Sequence, residues 1–225
     1  MSTSWLESIK GQSFENVTVD ASGNINTEEF IRAAKSLVTL FERIGGIALN
    51  SVKDDMTNNI AVCPPRLAPP PPPSPREALQ RGSRRVPDLQ DLVKNDKSKK
   101  AAQGLFWLKL ALDLTATAIR RNLDDPVEEL NTSFTSAYND VLKPHHNFLA
   151  KKAFGFAMNS VPYRKDFYAK IGVSPYELSA EQEQFSAEQL KGVKDQLNSP
   201  LTPEIAALKN VVTILNNFDD LTKCK

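Results

Sequence analysis

The sequence predicts an all-α fold, and three observations carry that reading. Apolar residues recur at helical spacing through most of the chain. Capping residues and glycine or proline punctuation bound those stretches. Alternating strand patterns are scarce, and no repeat period stands out. At 225 residues the chain is long enough to bury one substantial core.

The first clear helix is "NTEEFIRAAKSLVTLFERIGG". Asn26 is placed to cap it, with Glu29 as the reciprocal partner three residues on. Phe30, Ala33, Leu37, Leu40 and Phe41 form its apolar stripe, and Gly45 and Gly46 stop it. A second helix starts near Ile47 and runs through Val52, Met56 and Ile60. It must end by about Cys63, because Pro64 and Pro65 follow. Residues 61 to about 86 then read as a disordered Pro- and Arg-rich insertion, with five consecutive prolines from Pro69 to Pro73. Helix resumes at "DLQDLVKNDKSKK". "AAQGLFWLKLALDLTATAIRRNL" is apolar on most sides and reads as a central helix. "PVEELNTSFTSAYNDVL" follows, with Pro126 suited to its first turn. "KPHHNFLAKKAFGFAMNSV" comes after a break at Pro144. Two last helices are expected, "SPYELSAEQEQFSAEQLKGVKDQL" and "TPEIAALKNVVTILNNFDDL". In the second, Thr202 serves as cap and Pro203 as the first helical residue.

Composition removes several function classes. Lys+Arg total 28 against 27 Asp+Glu, a net charge of +1, which gives no whole-chain argument for nucleic acid. The two cysteines, Cys63 and Cys224, are too few for a disulfide framework, and no zinc quartet is spelled out. "MSTSWLESIK" is no secretory signal. The longest apolar stretch is broken by Lys109 and Asp113, against a lipid-spanning helix. A reducing, cytoplasmic location is expected.

A few polar residues stand out. Asp55, Asn59 and Val62 share one helix face, which by spacing alone reads as an ordinary solvated face. Trp107 by itself reads as core, although its flat indole can also carry the C–H side of a sugar ring. His145 and His146 are adjacent, and neighbours on a helix point about 100° apart, a poor arrangement for a metal. No nucleophile elbow or phosphate-cradling glycine loop is present. Spacing and composition stop at a soluble helical domain with some buried polar residues.

The ordered series goes further. "FERIGGIALNSVKDDMTNNI", then "GLFWLKLAL", then "LKPHHNFLAKKAFGFAMNSVPYRKDFYAKIG" resembles the glycolipid transfer protein family, and within it the fungal heterokaryon-incompatibility branch. The resemblance covers most of residues 28 to 172, interrupted at the insertion. It implies a single domain over 1–225, a two-layer helical sandwich. Its function would be non-enzymatic binding and intermembrane transfer of a glycosphingolipid, with no cofactor or metal. It implies a head-group site of Asp55, Asn59, Trp107 and His146. Asp55 and His146 would clamp the ceramide amide, and the sugar would lie on Trp107. Keeping Asn59 and Trp107 favours a neutral sugar over a phosphate, which would call for Lys and Arg. Phe41, Leu49, Val52, Leu105, Leu142, Phe154 and Met158 are the candidates for an apolar tunnel. Phe148, Tyr163, Arg164 and Lys165 are the candidates for a membrane-touching face. The expected protein is a monomer that visits membranes transiently and binds no nucleic acid.

The chain departs from the family at one site position. A lysine is expected three residues after the sugar-binding asparagine, and here it is Val62, which donates nothing. This raises the alternative of a glycolipid sensor or interaction protein with weak transfer or none. The resemblance stops at Ile60 and resumes near "VPDLQDLVKND", so the insertion is either a true one or an intron translated in frame. Sequencing the transcript decides between them. A spliced message that lacks the segment and restores a lysine supports the intron, and an intact message supports the insertion.

Overall fold

The computed structural model describes residues 4–45, 47–63, 87–125, 127–172 and 187–222, with side chains for all of these except 47–49, 187–200 and 222. The expected insertion from residue 64 onward, Pro126, Cys224, the Leu49 side chain and the start of the expected penultimate helix lie outside the described residues.

The helices are α1 (Trp5–Ser8), α2 (Thr27–Ile44), α3 (Ile47–Val62), α4 (Leu89–Asn95), α5 (Lys100–Asp124), α6 (Leu130–Val141), α7 (Phe148–Met158), α8 (Arg164–Ile171), α9 (Ala187–Asn216) and α10 (Asp219–Thr222). They pack in two layers, as the resemblance implies. Among the described residues the extended structure is one isolated bridge, Val19 with Ile25. α5 is the central element: α3, α6 and α9 all pack on it. That position explains its composition. Leu105, Leu108, Leu112, Ala116 and Ala118 are completely buried, Phe106, Leu110 and Leu114 are buried on the other side, and together they lie around most of its circumference.

Local chemistry fixes the element ends. The Asn26 side chain accepts from the Glu29 amide at 3.1 Å, as a cap should. Glu29 does not reciprocate; its carboxylate accepts from the Thr18 amide instead, at 2.7 Å, and so ties the preceding loop to α2. Gly45 closes α2 with φ 72°, a conformation glycine adopts without strain. Lys170 on α8 donates to the Ile44 carbonyl at 2.6 Å, satisfying an acceptor the helix end leaves open. Asn147 caps α7 through the Ala150 amide at 2.9 Å.

Four expected boundaries change. α3 continues through Ala61 and Val62, so the break comes after them rather than at residue 61. α6 begins at Leu130, not near Pro126. The preceding turn is held by the bidentate pair of Arg121 with Glu128, at 2.8 and 2.9 Å, and by Asn122, which donates to the Glu128 carbonyl at 2.8 Å. α9 is one helix and runs through Pro200 and Pro203, where two helices were expected. Thr202 and Pro203 are therefore interior, not a helix start. An interior proline costs about 3 kcal/mol. Packing offsets it here: Leu201, Ile205, Leu208, Val212 and Leu215 are all buried along one side.

α3 and α5 cross closely at Gly104. A Cβ at that position would overlap the Val62 Cγ2 methyl and would lie 3.2 Å from the Asn59 carbonyl oxygen. The crossing sets the C-terminal turn of α3 beside the helix that carries Trp107. Gly104→Leu should lower stability by about 1–3 kcal/mol through overpacking, read as the shift in a urea unfolding midpoint. Adding Val62→Ala should recover part of that loss.

Candidate functional site

The structure brings Asp55, Asn59, Trp107 and His146 into one region, although they come from α3, α5 and the loop before α7. Asp55 and Asn59 are one turn apart on α3, and Asn59 Nδ2 donates to Asp55 Oδ2 at 3.0 Å. His146 follows the short 3-10 turn Lys143–His145 in extended backbone, φ −88° and ψ 139°. Its ring lies 5.9 Å from the Trp107 indole, tilted by 32°. Behind it, Tyr138 stacks on Phe154 with centroids 3.9 Å apart, and the Tyr138 hydroxyl meets His146 Nδ1 at 3.3 Å. His145 sets its ring edge-on to Phe106 at 5.4 Å.

These groups border a cavity of about 1000 Å³. Asp55, Trp107 and His146 are part of its wall; Asn59 reaches it through Asp55. The rest of the wall is mostly apolar. Trp107, Ala111 and Leu114 face it from α5 at i, i+4, i+7, and Ala150, Ala153 and Ala157 from α7 at i, i+3, i+7. The small α7 residues leave the space open. Sequence reading missed this stripe, and its spacing was the available signal. Tyr138 was missed too, because only the fold shows that it lies behind His146.

Of the expected tunnel residues, Val52, Leu142 and Phe154 line the cavity. Phe41, Leu105 and Met158 belong to the buried core and are not in its wall. On the outer surface, Phe148 is 73% exposed, Tyr163 69% exposed, and Lys165 exposed. Leu149 and Phe156, not singled out in the sequence, are 75% and 73% exposed on α7 with Phe148. Lys152 Nζ sits 4.6 Å from the Phe148 ring centroid. Arg164 is a correction. Its side chain is buried, its backbone amide donates to Glu129 Oε2 at 2.9 Å, and its guanidinium lies against the Tyr168 ring and near Asn122 Oδ1. It pins α8 to the end of α5 and does not reach a membrane face.

The electrostatics follow from the apolar wall. Desolvation pushes the Asp55 carboxyl above the usual aspartate range, opposed by His146 and by the hydrogen bond from Asn59. Desolvation pulls the His146 imidazole below its ordinary value, opposed by Asp55. At neutral pH the imidazole is therefore neutral and able to donate from one ring nitrogen, beside an Asp55 side chain that offers acceptor oxygens. No group of three His, Cys, Asp or Glu among the described residues could hold a metal. The wall contains no lysine or arginine. No described helix is long and apolar enough to cross a membrane.

Residues 25–173 match the sequence model of the glycolipid transfer protein family. The chain is 40% identical over 210 residues to a glycolipid transfer protein of Aureobasidium melanogenum, covering 92% of this chain and 89% of that one. It is 31% identical over 141 residues to glycolipid transfer protein 2 of Arabidopsis thaliana, covering 58% and 56%. The structure is similar to the crystal structure of HET-C2, a fungal glycolipid transfer protein, with TM-score 0.73, 34% identity and 98% and 99% of the two chains covered. The human ceramide-1-phosphate transfer protein, solved with 12:0 ceramide-1-phosphate, has the same fold at 15% identity, TM-score 0.67, covering 94% and 93%.

The raised Asp55 pKa carries a stability cost. The folded state binds this proton more tightly than the unfolded state, so stability falls as pH rises from the ordinary value of 3.8 through the raised one. Asp55→Asn, which keeps an acceptor for Asn59, should raise the unfolding midpoint at pH 7. That advantage should vanish in melts below the ordinary aspartate pKa.

Proposed function

Because the chain belongs to the glycolipid transfer protein family, we propose that it binds one glycosphingolipid of the glucosylceramide type and carries it between membranes unchanged. The observation that carries this reading is the pairing of Asp55 with His146 on the wall of an apolar cavity, beside the Trp107 indole. The Asp55 carboxylate accepts from the ceramide amide N–H and from a sugar hydroxyl. His146 donates to the amide carbonyl. The sugar lies on Trp107, and Asn59 both orients Asp55 and serves a hydroxyl. An uncharged head group suits a wall that offers a carboxylate and no lysine or arginine. The lipid chains occupy the cavity, each buried methylene contributing about 0.8 kcal/mol relative to water.

Loading takes place at a membrane surface. Phe148, Leu149 and Phe156 form an exposed apolar face on α7 with Lys152 beside it, and the exposed Tyr163 and Lys165 extend the membrane contact in this reading. Phe156 belongs to both that face and the cavity wall, which supports a direct route from bilayer to cavity. In this reading the protein is a monomeric single-domain carrier, acting from the cytoplasm, without catalytic residues, cofactor or nucleic-acid partner.

One observation favours a second reading. Val62 is 40% exposed and lies against Gly104, so it supplies no donor at the place a site lysine would take. A chain that binds lipid weakly and serves as a sensor or interaction protein would fit that loss. Transfer of glucosylceramide between vesicles separates the two. Measurable transfer by the wild type, lost in a folded Asp55→Val variant, supports the carrier. Binding without transfer, or neither, supports the sensor or interaction protein. In the same assay Phe148→Ala with Leu149→Ala, two exposed residues outside the cavity wall, should slow transfer about tenfold or more, since each side chain removed gives up roughly 1–2 kcal/mol of apolar contact. Lipid affinity in detergent should stay unchanged.

A further inference from the structure

The contact behind His146 bears on which ring nitrogen carries its proton. Tyr138 Oη lies 3.3 Å from His146 Nδ1. Tyr138 is only 6% exposed, and its ring is held flat against Phe154 at an interplanar angle of 9°. His146 Nδ1 is the one polar partner of that hydroxyl among the described residues.

Two arrangements satisfy the distance. In the first, the phenol donates to Nδ1, and Nε2 carries the ring proton. In the second, Nδ1–H donates to the phenol oxygen. The second leaves the phenolic proton without a described acceptor at a half-buried contact, where the omission is costly. It also leaves Nε2 a bare lone pair in a ring that interacts electrostatically with the Asp55 carboxylate. The first uses the only proton Tyr138 has and leaves Nε2–H free for an acceptor. Both sides of the ring favour the same tautomer.

We propose that Tyr138 is a positioning residue that fixes His146 in the Nε2–H tautomer, so that the cavity receives a hydrogen-bond donor rather than an acceptor. The tautomer is a property of the lipid-free protein. Its use in gripping an amide carbonyl rests on the function proposed above. The stacked Phe154 ring keeps the phenol in register, and the same ring faces His146 at 6.1 Å, so one aromatic side chain braces both partners.

Long-range proton–nitrogen correlation spectra of the 15N-labelled full chain read the tautomer directly, and a His145→Gln variant assigns the two histidines. At neutral pH without lipid, His146 should show a protonated Nε2 and a bare Nδ1. Tyr138→Phe keeps the stack and removes the donor. It should shift His146 to a mixture of tautomers and weaken glucosylceramide binding about five- to tenfold, the scale of one lost hydrogen bond. A wild-type His146 protonated on Nδ1 overturns the proposal. So does a Tyr138→Phe variant with tautomer and affinity both unchanged. If the tautomers behave as expected while the wild type binds no glucosylceramide, the positioning role stands and the carrier function fails.

Discussion

A carboxylate at the edge of an apolar cavity is the constraint around which this molecule is arranged. Asp55 makes no ion pair among the described residues, and its surroundings penalise its charge. The fold tolerates that cost through two neighbours, the Asn59 amide and the His146 ring. Both neighbours depend on distant parts of the chain. Asn59 is placed by the crossing of α3 over Gly104, and His146 by the Tyr138–Phe154 stack and the Asn147 cap that starts α7. The site is therefore less stable empty than a neutral substitute would be, which is the usual relation between a binding group and its scaffold.

The elements around the site divide the work between rigidity and access. α5 is locked on several sides. Lys109 donates to Asn216 at 2.9 Å, and Asn122 is a fully buried hub for Glu128, Ser133 and Tyr168. α7 is the opposite. Its inner face carries three alanines beside Phe154, its outer face exposes Phe148, Leu149 and Phe156, and few polar bonds hold it beyond its cap. A helix with small residues inward and large apolar residues outward suits a wall that must admit a lipid.

Much of this was legible in the sequence, for local reasons. The Asn26 cap, the α2 stripe and the Gly45 stop depend on neighbours within a turn. The clustering of Asp55, Asn59, Trp107 and His146 was reached through resemblance; periodicity alone left Asp55 and Asn59 as a solvated face. What escaped notice is non-local. Arg164 reads as a surface cation, and only the fold brings Asn122 and Tyr168 against it. Pro200 and Pro203 read as a helix boundary because propensity is local, whereas the buried stripe from Leu201 to Leu215 is a tertiary fact. The role of Tyr138 is invisible until the loop before α7 folds back over α6.

The central proposal is that the Asp55 carboxylate accepts a hydrogen bond from a lipid amide N–H. Binding of glucosylceramide and of its N-methylated amide analogue, measured side by side on the wild type and on Asp55→Val, tests it most directly. The account predicts that the wild type binds the N–H lipid at least about tenfold more tightly, the worth of a charge-assisted hydrogen bond. It also predicts that Asp55→Val does not distinguish the two. Equal affinity of the wild type for both lipids would contradict it.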